Sequence, residues 1–336
     1  MATGKVIQIA AGRFHSLALL DDGTVRGWGN NEYGQRDNQN FLADGKKVIQ
    51  IAAGGQHSLA LLDDGTVCAW GHNNQRQADS QNFLAEGKKV IQIAARGDHS
   101  VALLDDRTVR VWGSITHFEA SNVIQIATGT YHTLALYPDQ SIDEWGINSE
   151  GLRNSINFLS EAKKVIQIAC GEDSSLALLD NGTVRRWGFR GRIISFLDEG
   201  KKITQIACYH NNIQLLLDDG TVECYGDPDD EDCIEQNFLA EGKRVIQIAA
   251  GFEHSLALLD DGTVRGWGDN RHGQKENQNF LFPIKKVTVP VEPPLLSISI
   301  MPSLINQQEQ GKYLGGYKEK YLKYKQKYLQ LKNNIK

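Results

Sequence analysis

Residues 47–71 read Lys-Val-Ile-Gln-Ile-Ala-Ala-Gly-Gly-Gln-His-Ser-Leu-Ala-Leu-Leu-Asp-Asp-Gly-Thr-Val-Cys-Ala-Trp-Gly, and versions of this stretch recur along the chain. Its first valine, once replaced by isoleucine, recurs at seven positions: Val6, Val48, Val90, Val123, Val165, Ile203 and Val245. The intervals between them are 42, 42, 33, 42, 38 and 42 residues. A period near 42 residues is typical of the blades of β-propellers and is too long for leucine-rich or ankyrin repeats.

Each repeat contains short strand patterns separated by turn signals. Residues 48–52 are rich in β-branched side chains, which favour a pleated strand. Residues 58–62 and 66–71 form two further strand patterns, and Asp64-Gly65 between them is a two-residue hairpin signal. Residues 82–84 are the candidate for a short outer strand. Three or four antiparallel strands make a blade, and blades that cannot bury both faces alone stack into a ring.

An aromatic residue occupies the same place in every repeat and is predicted to lie in the core between blades. These residues are Trp28, Trp70, Trp112, Trp145, Trp187, Tyr225 and Trp267. Seven such signatures predict an all-β fold, a seven-bladed β-propeller over residues 1–290. Residues 280–290 resemble the start of an eighth repeat, so the sequence does not determine which strand closes the ring.

The repeat resembles that of the regulator of chromosome condensation superfamily. The residues that carry the resemblance are Gly12-Arg-Phe-His15-Ser-Leu-Ala-Leu, Asp22-Gly23-Thr-Val and Trp28-Gly29-Asn-Asn-Glu-Tyr-Gly34-Gln35. It covers about residues 4–290. A WD40 repeat does not fit, because the aromatic residue is followed by glycine and not by aspartate.

The resemblance implies a propeller that binds other proteins. It indicates the fold more closely than the function, because one fold serves several functions. The founding member of the family is a guanine-nucleotide exchange factor for a small GTPase, which makes exchange the alternative function. Exchange in that family relies on a wedge-like insertion in one blade, and no interval here exceeds 42 residues. Larger family members carry ubiquitin-ligase domains, so substrate recognition for a ligase is a further alternative.

Histidine ends the Gly-x-x-His turn of five repeats, at His15, His57, His99, His132 and His254. Ser174 and Asn212 take its place in repeats five and six. Each histidine belongs to a different blade and has no second ligand at a fixed offset. The pattern therefore favours a buried histidine bonded to nearby backbone over a metal site.

No cofactor, metal or catalytic residue is predicted from the motifs. The chain has no nucleophile elbow, phosphate-binding glycine loop or His-Glu-x-x-His pattern. Cys170 and Cys208 replace alanine in neighbouring blades, either as small core residues or as a redox pair. The hairpin glycine is replaced by Arg107 in repeat three, at a cost of about 1 kcal/mol if the site is left-handed.

Cysteine usage and the first residues predict an intracellular protein, cytoplasmic or nuclear and not secreted. Five cysteines without paired spacing suggest reduced thiols. The sequence has no run of about 18 apolar residues, and the start of the chain lacks an apolar signal region.

The residues between the glycine and histidine of each turn vary from repeat to repeat. Equivalent turns fall on one face of a ring, where mixed aromatic and charged side chains are typical of a protein interface. The predicted partner-binding rim consists of Arg13, Phe14, Gln56, Asp98, Tyr131, Glu172, Phe252 and Glu253.

The C-terminal part differs from the repeats in composition and charge. Residues 301–336 contain eight lysines and two glutamates, a net charge of +6, so the total of −5 leaves −11 on residues 1–300. Residues 291–316 are a linker containing proline, glutamine and glycine. Residues 317–336 are predicted to form a short basic amphipathic helix with a heptad-like seam too short for an independent coiled coil.

Three targets for this tail stay open: another helix or docking partner, an anionic membrane surface, or nucleic acid. Its docking residues are Tyr317, Tyr321, Lys323, Tyr324, Lys327, Tyr328 and Leu331. The tail also resembles Tyr/Lys-rich C-terminal segments on proteins of giant DNA viruses of the mimivirus kind, which would place the protein in a host cell. The predicted function is a non-enzymatic scaffold whose rim binds a protein partner, with a small GTPase or a basic chromatin protein as candidates.

Overall fold

The computed structural model describes residues 4–115, 119–146, 156–157, 163–172, 174–188, 192–194, 200–210, 212–225 and 236–280. The chain divides into two units, Met1–Pro283 and Ile284–Lys336. All described residues belong to the first unit. The predicted linker at 291–316 and the predicted helix at 317–336 lie outside the described residues.

The described strands form seven antiparallel sheets that follow one another along the chain. In blades one to four they are β1 Val6–Ala11, β2 His15–Leu20, β3 Val25–Gly29, β4 Val48–Ala53, β5 His57–Leu62, β6 Val67–Gly71, β7 Val90–Arg96, β8 His99–Leu104, β9 Val109–Gly113, β10 Gln125–Thr128, β11 His132–Leu136, β12 Ser141–Gly146 and β13 Ile156–Asn157. In blades five to seven they are β14 Val165–Cys170, β15 Ser174–Leu179, β16 Val184–Gly188, β17 Arg192–Ile194, β18 Ile203–Tyr209, β19 Asn212–Leu217, β20 Val222–Tyr225, β21 Val245–Ala250, β22 His254–Leu259 and β23 Val264–Gly268.

Each sheet is a meander in which strands pair in sequence order, which confirms the predicted seven-bladed propeller. A fourth, outer strand is described in blades four and five, as β13 and β17. In blade two the predicted outer strand at 82–84 is wrong. The outer pairing is a single bridge between Val67 and Gln81, and Leu84–Glu86 is a 3-10 helix that ends at the left-handed Gly87. Blades one and six carry equivalent 3-10 helices, Leu42–Asp44 and Leu239–Glu241.

The hydrophobic core consists of seven clusters, and each cluster joins two neighbouring blades. Between blades one and two, for example, Leu17 and Leu19 pack with Ile51. The middle strand of each blade is buried along its whole length, as in sheets covered on both faces. Trp28 packs against blade seven, as predicted for the repeated aromatic residue.

A glutamine side chain joins each innermost strand to the next. The amide of Gln8 donates to the Ile51 carbonyl at 3.4 Å and accepts from the Ile51 N–H at 2.8 Å. At all seven boundaries a glutamine amide oxygen accepts from a backbone N–H of the next blade. The accepting residues are Gln8, Gln50, Gln92, Gln125, Gln167, Gln205 and Gln247 in turn. These bonds satisfy backbone groups that an exposed strand edge would leave unpaired.

The turn histidines form a second set of links between blades. His15 Nε2 lies 2.9 Å from Ser58 Oγ in the next blade. The Ser58 hydroxyl donates to the Gln35 carbonyl at 2.7 Å, so its oxygen accepts and the histidine carries its proton on Nε2. Equivalent contacts join His57 to Ser100, His99 to Thr133, His132 to Ser175 and His254 to Ser16. The expected backbone bond of these histidines is therefore wrong, because their partner is a hydroxyl of the neighbouring blade.

Blades five and six show why two histidines are replaced. Asn212 stands in the histidine position and donates its amide to Ser255 Oγ at 3.2 Å, so it supplies the same donor. In blade six the hydroxyl position is filled by the buried Ile213, which accepts no hydrogen bond. Ser174, which faces that blade, contacts Cys208 Sγ at 3.9 Å instead. The histidine donor is thus absent at the boundary between blades five and six, where the accepting hydroxyl is absent too.

The ring closes between blades seven and one through the same contacts. Gln247 accepts from the Ile9 N–H, and the carbonyl of Gln274 accepts from both Ser16 Oγ and Trp28 Nε1 at 2.8 Å. Phe280 packs beside the Trp28 ring, with centroids 6.4 Å apart. In the described residues each of these two blades is completed by its own consecutive strands.

The hairpin after the second strand has three residues and not the predicted two. In blade two the N–H groups of Leu62 and Gly65 bond to Thr66 and Leu62 carbonyls at 2.9 Å, which places Gly65 at φ +89°. Blade three has Arg107 at this site with φ +66°, so the predicted left-handed position is confirmed. The Arg107 side chain donates to Asn122 at 3.2 Å.

Replacing Arg107 by glycine should stabilise the protein. The substitution removes the left-handed strain of a residue with a Cβ, partly offset by the entropy of glycine in the unfolded chain, for a net gain of about 0.5–1 kcal/mol. Urea unfolding of R107G against wild type measures the difference. R107A is the control, because it loses the bond to Asn122 and keeps the strain, and an equal gain in R107A would contradict the explanation.

Replacing His57 separates hydrogen-bond donation from other histidine properties. H57A leaves Ser100 Oγ without its donor and should lower the free energy of unfolding by about 1–3 kcal/mol. H57N should lose much less, since asparagine already supplies this donor at position 212. Urea unfolding checks both variants, and equal losses in H57A and H57N would show that the hydrogen bond is not what stabilises this boundary.

Acidification should destabilise the ring through its histidines. Burial lowers the pKa of His15, His57, His99 and His254 from 6.5 to about 3, while the unfolded chain titrates near 6.5. Between these values the unfolded chain binds more protons, so stability falls as pH decreases, by about 1.4 kcal/mol per pH unit for each histidine. Unfolding measured from pH 7 to pH 4 should show a shallower decrease in H57N, and identical slopes would overturn the assignment.

Candidate functional site

The Gly-x-x-His turns lie side by side on one face of the propeller. In blade two the histidine ring packs against the glycine that begins the turn, so that a Cβ on Gly54 would lie 2.2 Å from the His57 ring. Neighbouring turns bond to each other, with the Arg13 N–H 3.2 Å from the Gly54 carbonyl and the Gly55 N–H 2.8 Å from the Gly97 carbonyl. The framework fixes the turn and leaves the two side chains between glycine and histidine free to vary.

These variable side chains surround one cavity of about 380 Å³, which we call the rim cavity. Six of the eight predicted rim residues line it: Arg13, Gln56, Asp98, Tyr131, Glu172 and Phe252. Tyr209 contributes from blade six, so every blade supplies at least one side chain. Tyr209 is not among the predicted rim residues, because it stands in the glycine position of its turn.

The other two predicted rim residues lie beside the cavity. Phe14 meets Phe252 edge to face, with ring centroids 5.9 Å apart. Glu253 pairs with Arg271, which also contacts Asp269 at 3.0 Å. Phe14 therefore supports the wall, and the carboxylate of Glu253 is engaged in a local ion pair.

One side of the rim cavity is aromatic and cationic. The Arg13 guanidinium lies 5.1 Å from the Phe14 centroid and 5.0 Å from the Phe252 centroid, within cation–π range. Tyr209 meets Phe252 edge to face at 5.5 Å. These contacts come from blades six, seven and one.

The opposite side is acidic and more polar. Asp98 is exposed, and Tyr131 is 50% exposed. Glu172 lies 3.2 Å from His210 Nε2. The rim cavity thus presents carboxylates from blades three and five opposite an aromatic wall that carries one guanidinium.

Arg96 reaches across the propeller axis below the rim cavity. It replaces the turn glycine in blade three, as Tyr209 does in blade six, and the first strand is one residue longer in both blades. Arg96 donates to the Ala250 carbonyl at 3.2 Å and the Cys208 carbonyl at 2.8 Å. Its guanidinium lies 4.1 Å from the Tyr209 centroid. Burial lowers the pKa of Arg96 and raises that of Tyr209.

Arg96 also lines a cavity of about 270 Å³ along the axis, together with first-strand residues of all seven blades. Cys170 and Cys208 lie in its wall as free thiols. Burial raises the pKa of both thiols, which disfavours the reactive thiolate and supports the interpretation as small core residues. Cys224 is disulfide-bonded, so the reduced state expected for all five cysteines is wrong for this residue.

Glu144 in blade four accepts hydrogen bonds from the next blade that a loop carbonyl accepts at other boundaries. Trp187 Nε1 donates to Glu144 Oε2 at 3.0 Å, whereas Trp28 donates to the Gln274 carbonyl. Glu144 Oε1 also accepts from Ser175 Oγ at 3.4 Å and lies 3.6 Å from His132 Nε2. Ser175 Oγ and Glu144 Oε1 both approach Nε2 of the buried His132. In a catalytic relay the carboxylate binds the other ring nitrogen, so this arrangement differs from one.

The remaining sequence-based site predictions concern other parts of the chain. The docking residues of the tail lie outside the described residues. Over the part of the chain that the structure describes, no three His, Cys, Asp or Glu side chains assemble in a way that could hold a metal ion. In that same part, no helix has the length and hydropathy needed to cross a membrane.

Comparison with known proteins supports the repeat and the fold. Residues 6–35, 48–77, 165–189 and 245–274 match the family model described as regulator of chromosome condensation (RCC1) repeat. These segments fall in blades one, two, five and seven, so four of the seven repeats are similar to this family model. No curated protein matched the chain, and neither comparison supports a viral origin.

Several solved structures share the fold at low sequence identity. Yeast RCC1 (Prp20), solved bound to Kap60, is 20% identical with a TM-score of 0.62, over 81% of this chain and 80% of that one. Human WBSCR16 is 19% identical with a TM-score of 0.63, over 77% and 87%. The ectodomain of the receptor kinase ACR4 from Arabidopsis thaliana is 17% identical with a TM-score of 0.65, over 82% and 100%. These similarities establish the fold, an RCC1-like β-propeller.

Proposed function

We propose that the protein is a non-enzymatic interaction scaffold whose rim cavity binds a protein partner. The observation that carries this proposal is the separation of repeated from variable residues. The repeated glutamine, histidine and serine residues are committed to links between blades, and the variable residues converge on one cavity to which all seven blades contribute.

The size and chemistry of the rim cavity fit a projecting segment of a protein. A volume of about 380 Å³ is at the lower end of ligand pockets and accommodates one or two side chains. The aromatic wall offers packing, and Asp98 and Glu172 offer acceptors for a basic or polar side chain. A basic partner is also favoured by the net charge of −11 on residues 1–300. A basic chromatin protein is one candidate of this kind.

Nucleotide exchange on a small GTPase is the second candidate function. The RCC1 repeats support it, because the founding family member has this activity. The absence of any interval longer than 42 residues argues against it, since the family's exchange wedge is an insertion. Substrate recognition for a ubiquitin ligase would use the same rim, with the ligase on another chain.

The tail is proposed as a second attachment point. Eight lysines between residues 301 and 336 would make its binding sensitive to salt, whether the target is a partner helix, an anionic membrane or nucleic acid. Two linked attachment points raise the effective concentration of the second one. Substitution of Lys323 and Lys327 by glutamine in the full chain tests this contribution separately from the rim.

The rim is tested by quantitative affinity capture with full-length variants. D98A/Y131A should weaken retention of the specific partner about 10-fold or more, because truncation of central interface residues costs about 2 kcal/mol. Release of labelled GDP from a panel of small GTPases, measured with the same variants, tests the exchange alternative directly.

A matched control changes two exposed residues outside the rim turns. K47A/D105A alters one basic and one acidic residue, both exposed and remote from the rim turns. Retention equal to wild type in the control and reduced in D98A/Y131A is expected. Equal retention by all three proteins would overturn the proposed site, and rim-dependent acceleration of GDP release would replace the scaffold with an exchange factor.

A further inference from the structure

One positive charge inside the propeller has no counter-charge in the described chain. Arg96 is partly buried, and it is the one charged side chain among the described residues that line the axial cavity of about 270 Å³. Its contacts in those residues are two carbonyls and an aromatic ring, and none is a carboxylate. A charge removed from water is costly unless an opposite charge lies nearby. The surroundings of Arg96 therefore favour an anion.

The acidic groups nearest to Arg96 do not supply that negative charge. They are the phenol of Tyr209 and the thiols of Cys208 and Cys170. Burial raises the pKa of all three groups from ordinary values of 10 for the phenol and 9 for the thiols, so all three are neutral at pH 7. Burial also lowers the pKa of Arg96, because these neutral groups do not offset the loss of water. The guanidinium nevertheless stays charged, as arginine does in proteins.

The guanidinium also has hydrogen-bond donors that are not used. Arginine carries five N–H groups in a planar fork. One N–H of each terminal nitrogen donates to a backbone carbonyl, that of Ala250 at 3.2 Å and that of Cys208 at 2.8 Å. The other three N–H groups make no hydrogen bond within the described residues. The ring of Tyr209, with its centroid 4.1 Å from the guanidinium carbon, holds the plane of the fork in place.

The axial cavity has room for a ligand beside these donors. Every first strand contributes an alanine at the same position, from Ala10 in blade one to Ala249 in blade seven. At about 30 Å³ for each water molecule in the liquid, the cavity has the volume of roughly nine waters, and it is partly open to solvent. Its lining residues in the described chain include no aspartate or glutamate, so no carboxylate among them repels an anion.

We propose that the axial cavity binds a small oxyanion, a phosphate or carboxylate group, on the guanidinium of Arg96. Two oxygens on one centre match the fork of arginine, and such charge-assisted hydrogen bonds are about twice as strong as neutral ones. This site goes beyond the proposed binding of a protein at the rim, because the axial cavity and the rim cavity share no lining residue. Binding to the folded ring also stabilises it against unfolding.

Calorimetric titration of the full chain with inorganic phosphate, at constant ionic strength, tests the proposal. Wild type should bind with a dissociation constant of about 1 mM or lower. R96Q removes the charge and should weaken binding at least about 10-fold, because it removes hydrogen bonds to a charged group. R96K keeps the charge without the fork and should bind with intermediate affinity. The same titration with acetate shows whether the site prefers a carboxylate to a phosphate.

The matched control is R13Q. Arg13 is an exposed arginine that lines the rim cavity and lies 5.0 Å from the Phe252 centroid, so its loss should leave phosphate binding unchanged. Thermal unfolding without phosphate shows which variants are folded. If R96Q is unfolded, the comparison of R96K with wild type decides, and equal affinities of those two would contradict the proposal.

Three other results would also overturn the proposed site. They are a wild type that binds neither phosphate nor acetate up to about 10 mM, equal binding by a folded R96Q, and binding that is lost in R13Q. Phosphate stabilises many proteins by exclusion from their surface, so a rise in the unfolding temperature counts as support only where R96Q lacks it. None of these outcomes bears on the rim cavity, which is tested by partner capture.

Discussion

Every hydrophobic cluster in the described chain lies between two blades, and this constraint governs the rest of the structure. A three-stranded meander has two apolar faces and cannot bury either one alone. Each blade is therefore stable only between neighbours, and the first blade must meet the last. A polypeptide of this kind has to close into a ring or leave two sheet faces in water.

Ring closure places polar groups of neighbouring blades against each other, and the repeat pairs them by hydrogen bonds at two places. Near the axis the glutamine amide satisfies the open edge of the next first strand, and near the rim a histidine N–H donates to the next hydroxyl. Burial lowers the pKa of this histidine to about 3, so it is neutral at physiological pH and its single ring proton lies on the Nε2 that makes the bond. Blade six shows that the donor and not the imidazole is required, since Asn212 replaces histidine there.

Local patterns in the sequence predicted the features that each repeat determines by itself. The blade number, the interblade tryptophans, the left-handed Arg107 and the grouping of rim turns follow from spacing and residue type. Contacts between distant repeats did not follow. The hydroxyl partner of His15 lies 43 residues away, and Arg96 meets Tyr209 across the axis. Both Arg96 and Tyr209 replace a turn glycine, and that shared departure was the one signal in the sequence that could have paired them.

The irregular blades show how a rigid ring can carry a varied surface. The interval from Val90 to Val123 is nine residues shorter than the usual 42, so the connection between blades three and four is reduced. At the next boundary, between blades four and five, Glu144 supplies two acceptor oxygens to Trp187 Nε1 and Ser175 Oγ, where the boundary between blades seven and one uses the Gln274 carbonyl. Since the framework depends on donors and acceptors at fixed points and not on particular residues, substitutions can accumulate in blades three to six without opening the ring. The side chains between glycine and histidine carry no such duty, and this freedom is what allows seven similar repeats to surround one cavity with seven different groups.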